Sequence, residues 1–213
     1  GLVLARTIAA ASAAGVAIGA HPSYPDRAGF GRTSLASSHG PGGVRRIVVE
    51  QVETVVAACS AAGVALTHVK AHGALYGDVA GAVDLAEEFV DAVIASAGAV
   101  AVLGPAGSVL ERACRDRGIR LVAEGFADRA YGANGRLVPR ARSGAVHVDP
   151  ARVAAQAVAL ATGGPLLAID GSPVIVRAES LCIHGDTPGA VDLARRTRAA
   201  LEAAGLRITA PWT

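Results

Sequence analysis

The amino-acid sequence predicts an α/β protein whose mostly parallel strands form a β/α barrel or a strongly curved sheet, with helices outside. One observation is compositional: the 213 residues are 52% hydrophobic but only 3% aromatic. The other is a recurring unit of alanine-rich helical stretch, glycine, short β-branched strand and polar loop. Such alternation is typical of right-handed βα units around parallel strands. The length fits a single domain over residues 1–213.

Five short apolar runs predict the parallel strands. They are almost continuously apolar, as expected when both faces of a strand are buried. The predicted strands are Val16–Gly19, Val64–Val69, Val100–Leu103, Arg120–Ala123 and Leu181–Ile183. A hairpin is predicted in LLAIDGSPVIVRA, where Asp170 and Gly171 supply the turn between two apolar runs.

Alanine-rich stretches predict the helices, and the glycines that follow several of them suit left-handed C-caps. The predicted helices are Pro41–Ala62, Val79–Ala97, Ala106–Arg117, Asp149–Ala161 and Pro188–Ala204. The opening stretch GLVLARTIAAASAAG carries an arginine inside its apolar run, so it predicts an amphipathic helix rather than a signal peptide. Because the chain opens on a helix and contains no methionine, we expect a strand and loop before Gly1 to be missing.

Composition excludes several classes of protein. The formal charge is +2 with acids and bases interspersed, so neither nucleic acid nor an anionic membrane is an expected partner. No run of about 18 apolar residues predicts a spanning helix. The three cysteines are far apart, which argues against a disulfide framework or a thiolate zinc site and favours the cytoplasm.

Polar and charged side chains follow four of the predicted strands directly. They are His21, Lys70, His72, Glu124, Asp128, Arg129, His184 and Asp186. Because the carboxyl ends of parallel strands meet at one edge of a sheet, we expect these side chains to line one cleft.

Histidines beside glycine or proline at strand ends favour a functional role, which makes His72, His184 and His21 the candidates among the histidines. His39, His68 and His147 lack this context, and we expect structural or solvated roles for them. Lys70 is the single lysine among 20 Lys and Arg residues, which favours a need for its compact ammonium group.

Asp186 of HGDTPG is expected to cap the helix that starts at Pro188 and also to face the cleft. Arg32 lies in the loop HPSYPDRAGFGR, for which a salt-bridged surface loop is the plainer interpretation. Neither a phosphate-binding G-x-x-x-x-G-K-[ST] loop nor a G-x-G-x-x-G after a strand occurs. No G-x-S-x-G or H-E-x-x-H motif is present either.

Five motifs, in order, resemble the LamB/YcsF family from Gly1 to the C-terminal helix. They are HPSYPDRAGFGR, HVKAHGALY, EGFADRAY, LVPR and CIHGDTPGAV. The resemblance implies a β/α barrel related to polysaccharide-deacetylase and glycoside-hydrolase barrels. It also implies the A subunit of the prokaryotic 5-oxoprolinase, which cleaves 5-oxo-L-proline to L-glutamate with ATP hydrolysis and partner subunits B and C.

The resemblance and the strand-end pattern together suggest residue roles. We expect the partner subunits to phosphorylate the lactam oxygen, so that ATP acts through the complex, and this chain to open the activated ring. His72 or His184 would be the general base, Asp128 or Asp186 would orient a histidine, and Lys70 and Arg129 would bind carboxylate or phosphoryl oxygens. The candidate catalytic residues are His72, His184, Lys70 and Asp128. The candidate substrate-binding residues are His21, Tyr24, Arg32, Glu124, Arg129 and Asp186; no metal ligand is assigned.

The chain departs from the family pattern in two places. The acidic opening strand Asp-Leu-Asn-x-Asp-x-Gly-Glu and the following Cys-Gly-Phe-His loop are absent, and Ala71 stands where the family usually has proline. The missing acidic segment and the absence of a phosphate-binding loop together predict that the 213-residue chain alone is inactive on 5-oxoproline with ATP. Two alternatives stay open at this point: a metal-dependent hydrolase of the deacetylase kind with a divalent metal, and a non-catalytic binding subunit.

Overall fold

We describe the fold from a computed structural model, which describes residues 1–212. The strands are β1 (Ile18–Ala20), β2 (Leu66–Lys70), β3 (Ala101–Gly104), β4 (Leu121–Phe126), β5 (Leu166–Leu167), β6 (Pro173–Val174) and β7 (Ser180–Cys182). The helices are α1 (Leu2–Ala13), α2 (Ala36–His39), α3 (Gly43–Ala61), α4 (Gly73–Gly81), α5 (Val83–Ala97), α6 (Val109–Asp116), α7 (Pro150–Thr162) and α8 (Ala190–Ala203).

The main sheet has five strands in the order β1-β2-β3-β4-β7. The pairs β1–β2, β2–β3 and β4–β7 are parallel, which confirms the predicted α/β class with mostly parallel strands. All five predicted strands are present, shifted by a few residues at their ends. The predicted hairpin is also present, because β5 and β6 pair antiparallel around Asp170 and Gly171.

The chain forms two compact units, one of residues 1–122 with Trp212 and one of residues 123–211. In the first unit, apolar side chains of α3 and α5 are fully buried, among them Val48, Val52, Phe89 and Val93. In the second unit, α7 and α8 share one core cluster of Ala127, Val153, Ala157, Leu193 and Leu201. Within residues 1–212, no helix is both long enough and apolar enough to cross a membrane.

Two helix predictions are wrong in detail. The predicted helix Val79–Ala97 is two helices, α4 and α5, separated by Ala82, whose backbone is extended at φ −119° and ψ 129°. The expected cap by Asp186 is not formed, because α8 begins only at Ala190 and its N-cap is Gly189, in a left-handed conformation. Asp186 instead lies 3.7 Å from Arg140 as an ion pair.

Candidate functional site

The second unit holds an aspartate–histidine pair that its strand register brings together. Strands β4 and β7 pair in parallel, with Phe126 opposite Cys182. The same offset of 56 residues places Asp128 opposite His184, two residues beyond each strand. The ring Nδ1 of His184 lies 2.9 and 3.0 Å from the two carboxylate oxygens of Asp128, and the backbone N–H of His184 donates to the same carboxylate at 2.9 Å.

The carboxylate of Asp128 is fully buried, with 0% of the residue exposed. Burial by itself raises the pKa of Asp128, but the hydrogen bonds from the ring and the backbone of His184 outweigh it, and the pKa lies below its usual value. Asp128 is therefore an ionised acceptor at neutral pH. It fixes the proton of a neutral His184 on Nδ1.

With its proton on Nδ1, a neutral His184 carries a lone pair on Nε2. The His184 side chain is 21% exposed, whereas its aspartate partner is buried. A neutral imidazole that is held by a buried carboxylate and reaches solvent can accept a proton from water. This arrangement is the one expected of a general base.

The loop that carries Asp128 is held by side chains deeper in the second unit. The Gln156 amide of α7 donates to the backbone carbonyls of Phe126 and Arg129 at 2.8 and 2.7 Å. The guanidinium of Arg129 donates to the carbonyls of Ala145 and Val138. Burial lowers the pKa of Arg129. These contacts fix the loop after β4, and the expected role of Arg129 in binding a carboxylate stays a prediction.

Sequence patterns did not identify Gln156, since a single glutamine in an alanine-rich helix carries no motif. Glu124 was predicted from its position at a strand end. It lies on β4 and is almost fully buried, and its role in substrate binding stays a prediction.

The first unit holds a second arrangement, built around two histidines. Ala20 of β1 pairs with Val69 of β2, so His21 and Lys70 follow at equivalent positions. The ring Nδ1 of His21 lies 2.8 Å from the carbonyl oxygen of Lys70. Nε2 of His21 lies 3.0 Å from Nδ1 of His72.

The loop between β1 and α2 closes over His72. The His72 backbone N–H donates to the carbonyl of Pro22 at 2.8 Å, so this part of the loop is held although Ala71 stands in place of the family's proline. Nε2 of His72 lies 2.8 Å from the carbonyl oxygen of Phe30. Phe30 has a positive φ of 56°, unusual for a residue other than glycine, and its side chain is 56% exposed.

The other predicted residues of the first unit contact aromatic rings or a carboxylate. The guanidinium of Arg32 lies 5.1 Å from the centroid of the Phe30 ring, and the ammonium of Lys70 lies 5.9 Å from the centroid of the Tyr76 ring. Tyr24 is buried, and its hydroxyl donates to Asp78 at 2.7 Å. The expected substrate contacts of Arg32 and Tyr24 stay predictions.

A groove of about 250 Å³ adjoins His21 of the first unit. It is lined by His21, Pro22, Glu50, Gln51, Thr54 and Val55. As for metal binding, no group of three or more His, Cys, Asp or Glu side chains within residues 1–212 is placed to hold an ion. The expected cleft common to all strand-end side chains stays a prediction.

Comparison with known proteins shows to which family the chain belongs. The sequence model of the LamB/YcsF family matches residues 1–213. The chain belongs to the LamB/YcsF family. This confirms the resemblance that the five motifs indicated.

Curated relatives of this LamB/YcsF protein have closely similar sequences. The chain is 43% identical over 209 residues to a Syntrophobacter fumaroxidans protein named as the A subunit of 5-oxoprolinase, covering 98% of this chain and 82% of that protein. It is 45% identical over 208 residues to a Nocardia farcinica protein of the same name, with 98% and 82% covered. The crystal structure of a lactam utilization protein from Thermus thermophilus superposes with a TM-score of 0.88 at 39% identity, covering 97% of this chain and 82% of that one.

Proposed function

We propose that this chain is the A subunit of an ATP-dependent 5-oxoprolinase and that it opens the ring of 5-oxo-L-proline to give L-glutamate, with partner subunits B and C. Relatives at 43% and 45% identity that carry the 5-oxoprolinase name support this proposal. The similar structure of a lactam utilization protein supports a lactam as the substrate class.

The observation that carries a catalytic role for this chain is the Asp128–His184 pair. Opening a lactam requires a nucleophilic water, and a neutral histidine held by a buried carboxylate removes a proton from water near pH 7. The 2.9 Å contact between Nδ1 of His184 and Asp128 leaves Nε2 for that step. The Asp128 carboxylate then stabilises the imidazolium that forms.

Between the two candidate bases, the hydrogen bonds favour His184. Both ring nitrogens of His72 are engaged, one with the carbonyl of Phe30 and the other with His21. His184 uses only Nδ1 in its pair with Asp128. We therefore assign the base to His184.

The resonance of the amide makes direct attack by water slow, so the ring carbon needs activation. In this proposal the partner subunits supply it, by transferring a phosphoryl group from ATP to the lactam oxygen. Water then adds to the ring carbon while its proton passes to Nε2 of His184. The carbon–nitrogen bond then breaks, the ring nitrogen takes up a proton, and the carboxyl phosphate that remains is hydrolysed by a second water to glutamate and inorganic phosphate.

The test is glutamate formation by the complex reconstituted with subunits B and C. Because loss of a general base costs about 10²–10⁴-fold in rate, His184→Ala should lower turnover by that factor. Asp128→Asn should lower it by at least about 10²-fold, since an amide no longer fixes the required tautomer. His39→Ala, which changes a histidine of the short helix α2, is the matched control and should keep normal turnover.

Each variant must first be shown to fold and to join the complex, by circular dichroism and gel filtration. Near-normal turnover by folded His184→Ala would contradict the base assignment and favour a non-catalytic binding subunit. Activity that is lost on chelation and restored by a divalent metal would favour the metal-dependent alternative instead.

A further inference from the structure

The four ring nitrogens of His21 and His72 all make hydrogen-bond contacts, and two of their partners are backbone carbonyls. Nδ1 of His21 lies 2.8 Å from the carbonyl oxygen of Lys70. Nε2 of His72 lies 2.8 Å from the carbonyl oxygen of Phe30. The remaining two nitrogens, Nε2 of His21 and Nδ1 of His72, lie 3.0 Å from each other.

Counting protons shows that two neutral rings do not fit these contacts. A carbonyl oxygen only accepts hydrogen bonds, so the nitrogens facing Lys70 and Phe30 must both carry a proton. A neutral imidazole has a single N–H. With those positions fixed, two neutral rings would point two lone pairs at each other across 3.0 Å. That contact is repulsive, whereas a third proton makes it an N–H···N hydrogen bond of ordinary length.

We propose that His21 and His72 form a proton-binding site, which holds one proton between Nε2 of His21 and Nδ1 of His72. The pair then has three ring protons and a single positive charge. Charged side chains on the surrounding segments include Lys70 at the end of β2, Arg32 in the loop over His72, and Glu50 of α3, which lines the same groove as His21. His21 is exposed to solvent, so water screens the charge against the two cations.

Loss of this proton has a structural consequence. Two neutral rings carry only two protons. If one of these protons stays between the rings, one ring must lose its N–H···O hydrogen bond to a backbone carbonyl. Either His72 releases the carbonyl of Phe30 or His21 releases that of Lys70. The first change frees the loop that holds Phe30 in its unusual positive φ. The bound proton thus keeps the loop between β1 and α2 hydrogen-bonded to His72, just after the end of β2.

The direct test is the protonation state of the rings in the folded chain, measured by long-range ¹H–¹⁵N NMR with ¹⁵N-labelled histidine at pH 7. Variants His21→Ala and His72→Ala assign the signals, and His39→Ala is the control. We expect three protonated nitrogens in the pair, and a return of His72 to a single N–H in His21→Ala. Two neutral rings in the unchanged chain would overturn the proposal. Because this result is read from the unchanged chain, it does not depend on the folding of any variant.

A metal titration separates a proton from a cation at the same position. Calorimetry with Zn²⁺ at pH 7 should show no stoichiometric binding that depends on His21. One equivalent bound by the unchanged chain and lost in His21→Ala would overturn the proposal, because the two lone pairs would then hold a metal.

Limited trypsin digestion between pH 7 and pH 9, read by mass spectrometry, tests whether the bound proton holds this loop in place. Cleavage after Arg27 and Arg32, relative to sites outside the loop, should rise once the pair loses its proton. In His21→Ala, the rate of cleavage after Arg27 and Arg32 should be the same at every pH in this range. Equal, pH-independent cleavage in both proteins would contradict the coupling to the loop.

Discussion

His68 is a partly buried histidine of β2 whose ring lies between an aromatic side chain and a glycine. It stacks on Trp212 with ring centroids 4.1 Å apart and planes 15° from parallel. A Cβ on Gly19 would overlap this ring, so glycine at position 19 makes room for it. Burial, with a smaller contribution from the charge of Lys70, lowers the pKa of His68 to about 4.

This shift predicts that His68 makes the folded chain less stable in acid. In the unfolded chain, His68 binds a proton once the pH falls below its ordinary pKa of about 6.5. In the folded chain, it binds that proton only near pH 4. The contribution is therefore fully present above pH 6.5 and is lost as the pH falls toward 4. Its size is at most roughly 3 kcal/mol.

Urea unfolding of the unchanged chain and of His68→Gln at pH 8 and pH 4.5 measures this contribution. The difference at pH 8 gives the packing cost of the substitution alone. We expect the unchanged chain to lose roughly 2–3 kcal/mol more than the variant between the two pH values. An equal loss in both proteins would contradict the lowered pKa.

At this scale the sequence predicted positions better than contacts. His184 and Asp128 were both identified because they follow strands, and the β4–β7 register brings them together. Asp186 was expected to cap a helix, but the left-handed Gly189 starts α8 too late for it to do so. The position of Phe30 over His72 depends on a loop path that local patterns do not encode.

Among the elements, α4 is one whose extent the sequence did not predict. Its residues GALYGDVAG contain three glycines, and glycine lowers helix propensity, so the predicted helix began only at Val79. The strands were predicted closely, because buried parallel strands are short apolar runs bounded by glycine or polar residues. The break between α4 and α5 lies at Ala82, directly after Gly81, the last residue of α4.

Two glycines of α4 should respond oppositely to alanine. Gly73 has φ +58°, and a Cβ there would overlap the backbone carbonyl oxygen of Gly31, so Gly73→Ala should destabilise the fold by roughly 2–4 kcal/mol. Gly77 has nothing within 4 Å of an added Cβ, so Gly77→Ala should stabilise it by roughly 0.5–1 kcal/mol. Urea unfolding of both variants measures the changes. A Gly73→Ala chain as stable as the unchanged one would show that the loop over α4 shifts freely.

For the whole molecule, each compact unit contributes one histidine arrangement. The second unit holds His184 against a buried Asp128 whose pKa is lowered by the hydrogen bonds from His184. The first unit holds the His21–His72 pair, for which we propose one bound proton. Family membership, established over residues 1–213, places both in a protein whose relatives are named as one subunit of an oxoprolinase.

The central claim is that this chain opens a ring that its partner subunits have activated. The most direct measurement follows ADP and glutamate together in a rapid-quench reaction of the reconstituted complex carrying His184→Ala. We predict that a burst of about one ADP per complex persists, while glutamate formation falls by about 10²–10⁴-fold. Glutamate formed at a near-normal rate, or an ADP burst lost together with glutamate, would contradict this division of labour.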